Sequence, residues 1–388
     1  PGTYNTNQGP DFAGARIKSG NTLWAGSIEL HVKSSDWKNH KHSGDINYKN
    51  VILHVVWQED VVLKLPFPTL VLQDKVPKVL LYKYDELMNT DSFIPCEKSI
   101  HLVNDITWQS WKERLLVERL QAKTGLVFEF LNRNNHHWEE TLWWLLARNF
   151  GMKLNSAAFE KTARSIPINI LAKHKNQIHQ IEALLLGQAG LLDNNFTEDY
   201  PKLLQREYQF LKKKYNLQKA LANLAFLRMR PSNFPTIRLA QLAMLVHQSL
   251  HLFSKIKESD KLSDIKKLLD VTANDYWHYH YMFDDASAFK KKKLGAQMID
   301  NILINTVIPV LFAYGHHQNE NSYKDRALKW LELIKAEKNS ITRGFLVLDL
   351  QNKTAFDSQA FLQLKNEYCS KKRCLECAVG NRLLRETY

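Results

Sequence analysis

The hydrophobic period of this chain changes once, near Ile106, and that change fixes its class. Before it, apolar residues alternate with polar ones: between Leu23 and Lys33, Ile28, Leu30 and Val32 share one face of an extended segment while Glu29, His31 and Lys33 share the other. After it, Trp108, Trp111 and Leu115, then Trp138, Leu142 and Leu145, then Leu239, Leu242, Val246 and Leu250 recur at helical spacing. A sheet followed by helices makes an α+β chain. Three parts are expected: an N-terminal α/β sheet domain over 1–105, a large all-α domain over 106–343, and a Cys-rich C-terminal segment over 344–388 that packs back on the first domain.

Within the first part, Ala15-Arg16-Ile17 leads into the turn Ser19-Gly20-Asn21, and Leu23 to Lys33 follows as a strand. Val51 to Trp57 is nearly continuous in apolar residues, which predicts a strand covered on both sides. Val61–Leu65, Thr69–Leu72 and Val79–Tyr82 read as further strands, separated by Pro66, Pro68 and Pro77. Helix breaks are expected at Gly151, at Pro167, and across 193–201, 231–235 and 315–322, and Phe345–Leu350 reads as a late strand.

With 388 residues, 44% of them hydrophobic, the chain can fill two or three cores. Fifty-three basic against forty acidic side chains leave +13, which favours a polyanionic partner such as DNA or RNA and would also suit an anionic membrane surface or a merely basic exterior. No run of about 18 apolar residues occurs, so no transmembrane segment is expected. The start at Pro1 suggests an upstream segment. Four cysteines are too few for a disulfide-stapled secreted domain, and a cytoplasmic location fits better. Oligomeric state is not legible.

The densest chemistry lies between Asn7 and His54, where Asp11, Glu29, His31, Asp36, His40, His42, Asp45 and His54 gather. Phosphodiester cleavage assisted by Mg2+ or Mn2+ needs two carboxylates for a hard cation and a neighbour that activates water. Asp11 and Glu29 supply the pair, with His31 or Lys33 beside the water. A second reading puts zinc on imidazoles: in an extended segment, His40-x-His42 turns both rings to one ion, and His31, Asp36, Asp45 or His54 completes the shell. The plain alternative makes Ser34-Ser35-Asp36-Trp37 a capping turn and His54 a core histidine.

Cys369-x4-Cys374-x2-Cys377 offers three thiolates at ligand spacing, and Cys96 is the remaining cysteine. Four thiolates suffice for Zn2+ or an iron–sulfur cluster. The runs Lys212–Lys214 and Lys290–Lys293 stand beside aromatics and could follow a phosphate backbone, although such runs are usually solvated helix faces. In Arg228-Met229-Arg230-Pro231, the arginines are expected to bond helix C-terminal carbonyls, with Asn233 or Thr236 capping the next helix. Trp143-Trp144 and Tyr276 to Tyr281 read as packing rather than base-stacking platforms.

Pro10-Asp11, eighteen residues, then Glu29-x-His31-x-Lys33 resembles the Pro-Asp…Asp/Glu-x-Lys motif of restriction-endonuclease-like nucleases. The resemblance departs at His31, where the motif has lysine; Lys33 lies two residues further along the same face. It implies a restriction-endonuclease-like first domain whose Asp11 and Glu29 hold the ion. Some such nucleases also carry one early and three late cysteines, with a different late spacing.

Across the whole chain, Asn7–Phe12, Trp24–His31, Ser34–Trp37, His40–His42, Val51–Trp57, Arg228–Arg238, Asn305–Pro309 and Tyr368–Gly380 together resemble an uncharacterised bacterial family, domain of unknown function 2851. That resemblance brings no activity or catalytic residues. Its members carry a further segment ahead of the Pro1-Gly2 position. The expected function is a divalent-metal-dependent phosphodiesterase acting on nucleic acid. Two alternatives stand beside it: a non-enzymatic nucleic-acid- or ribonucleoprotein-binding protein with structural zinc, and a zinc hydrolase of a small molecule.

Overall fold

The alternating N-terminal segment forms a mixed sheet of five strands, β1 (Thr3–Tyr4), β2 (Phe12–Ser19), β3 (Thr22–Lys33), β4 (Val51–Gln58) and β5 (Thr69–Val71), ordered in space as in sequence. The computed structural model describes residues 2–220, 222–249 and 251–385. Two compact units make up the chain, one of residues 1–99 with 374–388 and the other of residues 100–373. The architecture is α+β: a mixed sheet, then a mostly helical region.

In the first unit, β1, β2 and β3 run antiparallel, and Gly20, with φ +57°, makes the tight β2–β3 turn that a side chain would strain. β3, β4 and β5 are parallel. Parallel strands cannot be joined by a hairpin, so residues 34–50 cross over as α1 (Asp36–Asn39) and two 3-10 turns, His42–Gly44 and Ile46–Tyr48. The crossover covers one face: Trp37 is buried and its ring packs edge-on to His31 and His54. The β3–β4 register sets Glu29 opposite His54 and His31 opposite Val56, with both β4 residues fully buried.

The other face departs from expectation. Leu53, Val55 and Trp57 are only half-buried, and Leu30 and Val32 are 42% and 67% exposed. The apolar run of β4 is therefore not covered equally on both sides.

Two of the expected strands are absent. Val61–Leu65 is irregular, because after Gln58 the chain is drawn to the Ser34-Ser35 turn, where Val61 exchanges both backbone bonds with Ser34 Oγ. Val79–Tyr82 lies in α2 (Lys78–Met88), which starts directly after Pro77; proline has no N–H for a ladder and suits a helix start. Within this unit the C-terminal helix Ala378–Arg385 packs on α2.

The second unit begins with α3 (Asp105–Arg133), capped by Asn104, whose side chain accepts from Thr107 N at 2.9 Å, followed by α4 (Trp138–Phe150). Its core joins Leu116, Phe130, Trp143, Leu184, Trp277 and Trp330. Trp143, Trp144 and Trp277 are thus packing residues. Helices do break near Gly151, Pro167 and Pro231–Pro235. The 315–322 break shrinks to Gln318–Glu320, because the helix Ile308–His317 runs through Gly315. Leu239, Leu242 and Val246 lie in the helix Pro235–Gln248, whereas Leu250 lies outside the described residues.

The late strand is also replaced by a helix. Ser340–Val347 is helical, nucleated by a capping box in which Asn339 accepts from Thr342 N and Thr342 accepts from Asn339 N.

The stretch Ala296–His317 is long and apolar enough to cross a bilayer, but 72% of its most apolar window is buried inside the protein, as in a core helix.

Candidate metal centre

Glu29 and His31 project from β3 onto the face that the crossover covers, and Asp11 stands just before β2, the strand beside β3. The Asp11 N–H donates to Glu29 Oε2 at 3.0 Å, and the Leu30 N–H donates to Asp11 Oδ2 at 2.9 Å. One oxygen of each carboxylate is thereby engaged by backbone. Glu29 Oε1 faces the imidazoles instead, 3.6 Å from His31 Nε2 and 3.4 Å from His42 Nε2.

His40 and His42 arrive by a route different from the expected extended segment. His40 ends α1 in helical conformation and Lys41 adopts φ +59°, ψ +30°. That single left-handed residue reverses the chain direction, and both rings come to His31. The metal-binding atoms of His31, His40 and His42 lie within 4.8 Å of one another, and His31 Nε2 is 3.2 Å from His40 Nδ1. Ligands held at 2.0–2.1 Å in a tetrahedron about zinc sit roughly 3.3 Å apart; the His31–His40 pair already stands near that separation, and His42 lies within 4.8 Å of both. His42 Nε2 is moreover buried without a hydrogen-bond partner.

A supporting layer fixes these rings. His31 Nδ1 lies 2.8 Å from His54 Nε2. Tyr48 stacks on His42 with centroids 3.8 Å apart, and Trp37 Nε1 donates to Ser43 Oγ at 2.9 Å. Asp60 holds the preceding turn by accepting from Ser34 Oγ, Ser35 N and Ser35 Oγ at 2.7–3.0 Å, and these bonds, led by the Ser35 amide, hold its carboxyl down at about 2. Asp36 accepts from Lys33 N at 3.0 Å, which lowers its pKa, while Ser35 makes no capping bond.

Burial governs the protonation states. It pushes Glu29 up to about 7, against the Asp11 amide, with the Asp11 charge adding to the rise. It pushes His31 down to about 4, helped by His54, His42 and His40, and lowers His42 and His54 too. Neutral imidazoles are the form that ligates metal.

The expected residues are thus partly assembled. Asp11, Glu29, His31, His40 and His42 come together, joined by His54. Lys33 is exposed at the end of β3, and its side chain makes no ion pair or hydrogen bond among the described residues. Cys96, Cys374 and Cys377, all buried, belong to the first unit, and burial together with the two other thiols pushes Cys96 up to about 12. Cys369 is buried at the end of a π-helical turn, Leu364–Cys369, in the second unit.

Sequence reasoning missed Tyr48 and Asp60. Trp37, three residues before His40 on the same turn, was the available signal. Arg228 and Arg230 are exposed and bond no helix carbonyl among the described residues; Asn233 bonds Arg238 instead of capping, and Thr236 Oγ1 donates to Tyr281 O. Lys213 and Lys214 are exposed at the end of their helix, whereas the second lysine run is partly engaged. Lys292 is buried over the Tyr281 ring at 3.7 Å, and Lys293 pairs with Asp270 at 2.9 Å.

A mixed sheet with a histidine-lined crossover, followed by a helical unit, is the setting in which the family comparison falls. The chain belongs to the family described as protein of unknown function (DUF2851), whose model matches residues 1–340. No curated protein and no solved structure matches it.

Proposed function

We propose that the chain is a divalent-metal-dependent hydrolase acting on phosphodiester bonds of nucleic acid, with His31, His40 and His42 as ligands and Glu29 as the base. The convergence of three imidazoles beside one carboxylate oxygen carries this reading. Nitrogen donors favour zinc over magnesium or manganese, which suit oxygen ligands better. His40 is exposed, which leaves one side of the cluster open to substrate.

A bound ion of this kind supplies Lewis acidity toward a phosphoryl oxygen and toward water. Glu29 Oε1 receives the proton of the attacking water. His54 sets the tautomer of His31, and Asp11 holds Glu29 and Leu30 in register. The phosphodiester assignment draws support from the +13 charge and from Asp11, at the entry to β2, standing beside Glu29 of the adjacent β3, as a restriction-endonuclease-like core would have them. The three-histidine set also suits zinc hydrolysis of a small molecule. A separate structural zinc or iron–sulfur cluster on Cys96, Cys374 and Cys377 is proposed for the same unit.

The test is elemental analysis of the untagged chain, followed by cleavage assays on DNA, RNA and an activated phosphodiester with Zn2+, Mn2+ or Mg2+. His42→Ala is expected to lower bound metal, and Glu29→Gln to keep metal while cutting cleavage by roughly 10²–10⁴. Absence of cleavage of every phosphodiester, or cleavage indifferent to Glu29→Gln, would remove the proposal.

A further inference from the structure

The geometry points to a second binding site, in the helical unit and apart from the histidines: a cavity of about 830 Å³ built around Arg238 that takes a small molecule bearing a phosphate ester. No Asp or Glu lines it, while Arg148, Lys153, Arg238 and Lys293 do.

Arg238 is the centre of the argument. It sits in the first turn of the helix Pro235–Gln248 and is 7% exposed. Its guanidinium donates to two neutral amides, Gln241 Oε1 at 3.0 Å and Asn233 Oδ1 at 2.6 Å, and forms no ion pair among the described residues. A buried cation normally has an anionic partner, because desolvation otherwise costs several kcal/mol. Five N–H groups are available on a guanidinium and these two bonds engage two, so donors remain for an oxyanion.

The surroundings sharpen the ligand. Arg148 and Lys293 are already compensated by Glu160 and Asp270, whereas Lys153 pairs with no acid among the described residues. The uncompensated charge of the lining therefore comes from Arg238 and Lys153. Asn149 Oδ1 is buried with no partner and lines the same cavity, an acceptor suited to a ligand hydroxyl or amine. Part of the wall is a π-helical turn, Leu303–Val307, which brings Asn305 and Thr306 to the cavity. The volume lies within the range of small-molecule sites and is ample for a nucleotide.

The experiment is calorimetric titration of the full chain with inorganic phosphate, with AMP and with adenosine. Wild type is expected to bind AMP more tightly than phosphate and to ignore adenosine. Arg238→Gln and the solvent-side change Lys153→Glu should each weaken AMP by roughly tenfold or more, the loss of one charge-assisted bond, while Lys49→Glu in the first unit leaves it unchanged. Lys153→Glu keeps the test decisive if Arg238→Gln fails to fold. Failure of both phosphate and AMP to bind folded wild type at millimolar concentration would overturn the inference. So would AMP binding unaltered by Lys153→Glu, or an oligonucleotide displacing AMP through contacts that Lys153→Glu abolishes, which would make the cavity a nucleic-acid contact.

Discussion

His31 Nδ1 and His54 Nε2 stand 2.8 Å apart with their rings at 80°, and the proton between them decides which nitrogen of His31 is free. When His31 donates from Nδ1, its Nε2 lone pair points to the cluster of His40 and His42. His54 then acts as the orienting partner that metal-ligating histidines usually have. His54→Ala should leave the protein folded but weaken zinc binding by about 10–100-fold, measured by competition with a chelator. Unchanged affinity would reduce His54 to a packing residue.

The left-handed Lys41 is the hinge of the site, with φ +59°. That conformation disfavours side-chain-bearing residues by roughly 1–2 kcal/mol, and β-branched residues most of all. Lys41→Gly is expected to hold or raise stability and metal content, whereas Lys41→Val should lower both. Thermal unfolding and metal stoichiometry on the pair check the sign.

In the helical unit, a Cβ on Gly187 would run into the Tyr208 ring. Gly187→Ala should therefore destabilise by about 1–3 kcal/mol through overpacking, read from urea unfolding. Tyr208→Phe is the counterpart: the Tyr208 hydroxyl is buried without a partner, so its removal should be neutral or favourable.

Glu182 is fully buried, accepting from Tyr200 OH at 2.5 Å and Trp277 Nε1 at 3.1 Å, and burial raises it from 4.5 to about 7. The folded state then holds a proton that the unfolded state releases, so this group's contribution to stability falls as pH rises from 4.5 to 7 and is level outside that window. The loss is about 3 kcal/mol at most. Glu182→Gln should gain on wild type across that interval. Parallel stability–pH curves for the two proteins would refute the assignment.

Legibility in the sequence followed the strength of local signals. β3 was plain because its alternation runs over a full strand, and the α3 and α4 faces because Trp108, Trp111 and Leu115, then Trp138, Leu142 and Leu145, recur at helical spacing. Short apolar runs were ambiguous: Val79–Tyr82 and Phe345–Leu350 fit either period, and Pro77 and the Asn339–Thr342 box decided for helix. The histidines announced themselves by density, yet their meeting depended on a parallel β3–β4 pairing and on one backbone angle at Lys41. Neither leaves a mark in composition. Lys33 shared a face with His31 in the strand pattern but lies where β3 leaves the sheet, beyond the cover of Trp37. Arg238 went unnoticed because its significance is the absence of an acidic neighbour, a property of packing alone.

The first unit is assembled from both ends of the chain, with the helix Ala378–Arg385 lying on α2 and Cys374 and Cys377 near Cys96. During synthesis the sheet leaves the ribosome early, but the segment that finishes its unit emerges only after the whole helical region. The histidine-bearing part of the protein is thus made ahead of the helical region and closed only after it.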